Sequence, residues 1–322
     1  MPSMHKLLMQ CVTATVAVIL AIPAMPQEPA GQAPVIKSQV SLVNLFATVR
    51  DKNKRIVPTL KQEDFRVSED NQDQKIAFFS REVALPITLA LLLDTSGSEQ
   101  DMLSAIQDAG SRFIARVIRK GDEALVMSFD SNVDLLSDFT DEHGQLERAI
   151  RKSRINVPDQ GTMAGNPGPI GSRQVTGTAL YEAIYLACGE KLASEAGRKA
   201  VVIVTDAQDE GSKVRLEEAI EAAQRTDTVI HILLVVDPRY GGNPGVAHKL
   251  AEETGGRMIS VRSEKKLAEA FDEISEELRS QYTLGYYPTN SAQDGKFRKV
   301  KVETTEHDLK VLARKGYYAP KG

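Results

Sequence analysis

The chain has 322 residues, 42% hydrophobic and 26% charged, with a formal net charge of -4, no Trp and two Cys. These totals lie near the globular average and exclude wholesale disorder, a collagen-like repeat, a multi-span membrane protein and a disulfide scaffold. The mild acidity argues against a nucleic-acid binder, which displays a strongly basic face, and the length suits one large core plus a smaller module.

At the amino end, Lys6 precedes an apolar run from Leu7 to Pro23, followed by small residues. That order predicts a secretory signal over residues 1–24, and so a periplasmic or secreted chain. An uncleaved membrane anchor is the alternative, although the run falls just short of the ~18 apolar residues a spanning helix needs. Cleavage near Ala24 removes Cys11 and leaves Cys188 alone, so the exported chain relies on packing rather than on an internal disulfide. Cys188 shares helical spacing with Leu180 and Ile184, which predicts a buried small hydrophobe. Residues 25–37, rich in Pro, Ala, Gln and Gly, read as a linker.

Residues 38–84 read as a β segment. QVSLVNLFATV alternates in polarity, DKNKR turns, and DFRVSEDNQDQKIAFFSRE holds two short strands around an Asp/Asn turn. From 85 to 280 the texture changes. PITLALLLD is a nearly continuous apolar run, as expected for a strand covered on both faces. Helices near 99–119, 143–152, 178–194, 213–226 and 246–254 alternate with strands EALVMSFD, NVDLLSDF, KAVVIVTD, TVIHILLVV and RMISV, and a final helix keeps Leu267, Phe271, Ile274 and Leu278 on one face. This alternation predicts a doubly wound, mainly parallel α/β sheet. Residues 281–322 return to strands, QYTLGYYP, KFRKVKVET and LKVLARKGYYAP, and contain five of the eight tyrosines. Aromatics are ordinary strand formers, so these rings are expected to pack rather than to stack on sugars. The two flanking segments are predicted to form one composite β module rather than two marginal sheets.

Three separated pieces carry hard oxygen donors where strands end or helices begin: Asp94, Ser96 and Ser98 in LLLDTSGSE, Thr178 in QVTGTALYEA, and Asp206 in VVIVTDAQDEGS. The carboxyl ends of strands in an open α/β sheet converge on one crevice. Carboxylate and hydroxyl oxygens without His or thiolate select a hard cation, Mg²⁺ first, with Mn²⁺ and Ca²⁺ as the other choices.

The pattern D-x-S-x-S, then a distant Thr, then a distant Asp, resembles the von Willebrand factor type A (VWA) domain with its metal-ion-dependent adhesion site (MIDAS). Asp94, Ser96, Ser98, Thr178 and Asp206 match its five positions in order. The flanking DFRVSEDNQDQKIAFFS and YTLGYYPTNSAQDGKFRKVKV resemble the bacterial, acidobacterial-type VWFA-related family. The resemblance implies the Rossmann-like VWA fold over 85–280. It also implies a non-enzymatic function, in which a protein partner offers an Asp or Glu to the bound cation. Loops 155–177, 207–213 and 237–247 are expected to set specificity. Ala207 departs from the Gly that usually follows the last Asp.

Other readings stay open. Ser98 and Thr178 suit helix N-caps, and Asp206 suits a turn, with no metal present; the chain would then be a metal-free assembly module of the envelope. Glu99 is expected to favour the dipole of the helix that follows. A metal-assisted hydrolase is the third reading. Against it, the sequence has no H-E-x-x-H, G-x-S-x-G or phosphate-binding G-x-x-x-x-G-K-[ST] motif.

Overall fold

The computed structural model describes residues 42–81, 85–155, 177–236, 239 and 241–321. The expected signal and linker, nearly all of loop 155–177 and part of loop 237–247 lie outside the described residues.

The apolar run of the first core strand becomes β5 (Ile87–Asp94), all eight residues of which are buried. It lies inside a six-stranded sheet with β6 (Glu123–Phe129), β7 (Val133–Thr140), β8 (Arg198–Thr205), β9 (Thr228–Val235) and β10 (Met258–Val261), in the order β10-β9-β8-β5-β6-β7. Every pairing is parallel except β6 with the edge strand β7. The strand pleat sends alternate residues to opposite faces. Leu89, Leu91 and Leu93 therefore join one core with α1 (Leu103–Val117), α2 (His143–Lys152) and α6 (Glu264–Arg279). Ala90 and Leu92 join the other, with α3 (Leu180–Leu186), α4 (Leu216–Arg225) and α5 (Pro244–Thr254). This is the expected doubly wound architecture, the VWA fold. The stripe on α6 meets α1 where Phe271 and Phe113 lie 4.9 Å apart.

Two predicted helices are interrupted. The one expected over 99–119 begins as a short 3₁₀ turn, Gly97–Glu99, before α1. The one expected over 178–194 runs as α3, then a π turn at Ala187–Lys191, then a 3₁₀ turn at Leu192–Ser194. Cys188 sits in that π turn, fully buried. Burial pushes its thiol up to about 12, as befits a structural rather than a reactive cysteine.

The flanking segments do pair with each other, as two small antiparallel sheets. One contains β1 (Val43–Arg50), β4 (Ile76–Ser80), β11 (Tyr282–Tyr286) and β13 (Lys310–Leu312), in the order β13-β1-β11-β4. The other contains β2 (Phe65–Glu69), β3 (Gln72–Gln74), β12 (Phe297–Thr304) and β14 (Gly316–Tyr318), in the order β14-β12-β2-β3. Each sheet mixes strands from both ends of the chain. Leu45, Phe65, Val67, Tyr282, Tyr286 and Val300, drawn from both sheets, share one core. Tyr282, Tyr286 and Tyr317 pack as expected, whereas Tyr287 is exposed; Tyr282 donates to Val57 O at 2.6 Å and accepts from Leu60 N at 3.0 Å. The hydroxyls of Tyr286 and Tyr317 both donate to the buried Glu69, at 2.7 and 2.8 Å.

This module meets the α/β core at the amino ends of the parallel strands. Arg198, which opens β8, donates to Leu278 O at 2.6 Å and to Gln281 Oε1 at 3.2 Å. Arg314 pairs with Asp227, the residue just before β9. The carboxyl ends of the strands, with Asp94 and Asp206, thus lie at the opposite end of the sheet from the module.

Candidate metal centre

Asp94 closes β5 and is completely buried. Its Oδ1 accepts the Ser96 N–H at 2.9 Å, and its Oδ2 accepts the Thr205 hydroxyl at 2.6 Å. Burial pushes this carboxyl up to about 7; hydrogen bonds from Ser96 and Thr205 oppose the shift and the neighbouring Asp206 adds to it. The groups that act on it most are therefore neutral or anionic, and a buried carboxylate in such company attracts a cation. Two residues along, the Ser96 and Ser98 hydroxyl oxygens lie 3.0 Å apart.

Asp206 follows the last residue of β8 and is 4% exposed. Its Oδ1 accepts the Gln208 N–H at 2.9 Å and its Oδ2 the Gln208 Nε2 at 3.2 Å, so the expected turn is present. Ala207 sits at φ 59, in the left-handed region. That backbone explains why Gly is usual there, since a β carbon crowds the following carbonyl.

Thr178 comes from a different part of the chain and is drawn to the same end of the sheet by two sets of backbone bonds. Its carbonyl accepts the N–H groups of Glu210 and Gly211, at 3.1 and 3.2 Å, from the loop after Asp206. The next N–H, of Ala179, donates to Asp130 O at 2.6 Å, while the Thr95 hydroxyl donates to Asp130 Oδ2 at 3.3 Å. The two loops pass so closely that a β carbon on Gly177 would lie 3.1 Å from the Glu210 backbone.

The capping alternative for the hydroxyls does not hold. The N-cap position of α3 is Ala179, and Thr178 makes no cap. The first free N–H groups of α3 go instead to Asp209, whose Oδ1 accepts from Tyr181 at 3.0 Å, and to the Ser212 hydroxyl, which accepts from Glu182 at 3.0 Å. Likewise α1 begins after Met102, and neither Ser96 nor Ser98 caps it. Glu99 lies in the 3₁₀ turn and is fully buried rather than displayed at the start of a helix. Thr205, Thr95, Asp130 and Ser212 escaped the sequence reading. Thr95 and Thr205 stand beside motif positions, but Asp130 and Ser212 do not, and the partners of all four are set by the fold.

The candidate donors are thus two carboxylates and three hydroxyls from three loops at one end of a parallel sheet. Residues 89–210 match the von Willebrand factor type A domain. The matched span takes in all five of the VWA-type donor positions. The fold is similar to that of a von Willebrand factor type A protein from Catenulispora acidiphila, at 13% identity and a TM-score of 0.50, covering 80% of this chain and 74% of that one. Two other solved structures align more loosely. BatB from Bacteroides thetaiotaomicron is 18% identical with a TM-score of 0.46, covering 60% of this chain and 100% of that one. Proximal thread matrix protein 1 from the mussel byssus, solved with a zinc-occupied MIDAS motif, is 17% identical with a TM-score of 0.48, covering 64% and 48%. No curated protein compared with the sequence matches it. Among the described residues, no helix is long and apolar enough to cross a membrane.

The donors fit a hard divalent cation. Asp94 supplies a buried carboxylate whose strongest neighbours offer no positive charge, and the Ser96, Ser98 and Thr178 hydroxyls are not used as helix caps. Oxygen donors of this kind suit Mg²⁺, Mn²⁺ or Ca²⁺.

Proposed function

We propose that this is an exported, non-enzymatic VWA-domain protein of the VWFA-related family that binds a protein partner through one divalent cation, Mg²⁺ first. In this reading residues 1–24 are the signal and 25–37 a linker. Residues 85–280 form the binding domain, and 38–84 with 281–322 form the module at its far end. Asp94, Ser96, Ser98, Thr178 and Asp206 hold the cation. When bound, it supplies an electrophilic position that an Asp or Glu oxygen of the partner completes. The chain's own part is to carry Asp94 into a dry site, to aim the two serine hydroxyls from a tight loop, and to bring Thr178 and Asp206 together through the Thr178–Glu210 and Thr178–Gly211 backbone bonds.

The observation that carries this reading is the buried Asp94 beside hydroxyls that have no capping duty. Calorimetric titration of the full chain tests it: Mg²⁺ or Mn²⁺ binds the wild type, and Asp94→Ala abolishes the binding. Equal affinity in the variant overturns the site. Capture of envelope proteins with magnesium, and again with chelator, separates metal-bridged adhesion from a metal-free assembly module, in which capture is indifferent to chelation. Metal-dependent turnover of phosphoesters or peptides above the metal blank would favour the hydrolase reading instead.

A further inference from the structure

Thr205 ends β8 and is fully buried. Its oxygen accepts the Ala207 N–H at 3.0 Å and its proton goes to Asp94 Oδ2 at 2.6 Å. A hydroxyl has a single proton to donate, so the Ala207 bond leaves that proton aimed at Asp94. The Ser96 N–H holds the other carboxylate oxygen at 2.9 Å. The carboxylate is therefore gripped at both oxygens, from β8 on one side and from the loop after β5 on the other.

The fold does not need this bond to align the strands. The β5–β8 ladder already runs from Ile87 opposite Arg198 to Leu93 opposite Val204. The strand reads VVIVT, and a valine of nearly the same volume would continue its apolar run. A hydroxyl at this position serves the carboxylate rather than the packing. Resting on the metal-site reading above, we propose that Thr205 is a positioning residue of the cation site. It fixes the plane of the Asp94 carboxylate and ties it to the turn that carries Asp206, without being one of the five donors. Partners that orient a metal ligand in this way typically affect metal affinity by about 10- to 100-fold.

Two substitutions split the side chain into its parts. Thr205→Val keeps the methyl and loses the hydroxyl; Thr205→Ser keeps the hydroxyl and loses the methyl. The full chain of each is titrated with Mg²⁺ in a calorimeter beside wild type and Asp94→Ala, and is melted in chelator. Thr205→Val is expected to raise Kd by about 10- to 100-fold, while Thr205→Ser stays close to wild type even though it loses a buried methyl and melts lower. If the valine chain fails to fold, Thr205→Ala takes its place. The proposal is overturned, with the metal site intact, if wild type binds, Asp94→Ala does not, and Thr205→Val binds as wild type does. It is overturned equally if Thr205→Ser loses as much affinity as Thr205→Val. If wild type itself binds no Mg²⁺, the metal-site reading falls and this proposal falls with it.

Discussion

Asp94 is fully buried, with two donors and a second carboxylate as its strongest neighbours. A charge in such a place is a cost to the fold unless something positive joins it. In chelator, Asp94→Asn is therefore expected to melt close to wild type, because removing the buried charge offsets the loss of one of the two acceptor oxygens used by Ser96 N–H and the Thr205 hydroxyl. Mg²⁺ at a hundredfold excess over Kd should stabilise wild type by about 2.7 kcal/mol and leave D94N unmoved. Thermal melts with and without Mg²⁺ check both arms, and a D94N chain that melts far below wild type in chelator would assign the carboxylate to the fold instead. The five motif residues were legible in the sequence by type and spacing. Thr205 was not, because nothing in VVIVTD says that its hydroxyl turns back to a strand 111 residues away.

At the scale of elements, loops rather than helix ends do the capping around the site. Asp209 and Ser212 serve the start of α3 from the loop after β8, which frees Thr178 and locks two loops together. Helix ends also explain how the carboxyl-terminal segment docks. Gly255 closes α5 at φ 86, and a β carbon there would lie 2.3 Å from Arg314 N, a backbone atom that cannot swing aside. Gly255→Ala thus combines a left-handed penalty of about 1–2 kcal/mol with displacement of the connection between β13 and β14 that carries Arg314. Urea unfolding should show a loss of at least about 2 kcal/mol, together with faster proteolysis after residue 310. Stability within about 0.5 kcal/mol of wild type would mean that the tail does not depend on this approach. The helices themselves were legible from their apolar stripes. Their interruptions were not, since the π turn at Ala187–Lys191 leaves the apolar spacing largely intact.

Across the whole molecule, the β module and the α/β core are joined by buried charge. Glu277 of α6 is completely buried and ion-paired to Arg50 of β1 and Arg257, with N···O distances of 2.7 and 2.6 Å. His231 of β9 lies 3.7 Å from the same carboxylate. Burial drives the His231 pKa down to about 4; Glu277 pulls it up, and Arg257 and Arg50 push it further down. Since the unfolded histidine titrates near 6.5, the unfolded chain binds the extra proton between about pH 6.5 and 4, and stability falls as pH falls through that window. The loss is on the order of 3 kcal/mol. Denaturant unfolding from pH 7 to 4 should show a shallower decline in His231→Gln, and an unchanged decline would assign the acid sensitivity elsewhere. A chain stopped after Ser280 loses β11 to β14, which strips both edges of β1, one edge of β4 and one edge of β2 of their partners. Limited proteolysis is expected to degrade residues 42–80 of that truncation while sparing the six-stranded sheet; protection of both would show that the amino-terminal strands fold without β11.

Periodicity and residue type by themselves determined the doubly wound sheet, because strands covered on both faces must be apolar throughout. They also singled out the five candidate donor positions and anticipated the partnership of the two flanking segments. Tertiary structure alone decided that those segments build two sheets around one core, that the motif hydroxyls are spared from capping, and that Thr205 meets Asp94 and His231 meets Glu277. Each of these depends on which distant group meets a buried polar atom. A local pattern does not encode that, because a hydrogen bond or an ion pair acts only between atoms the fold has already brought together.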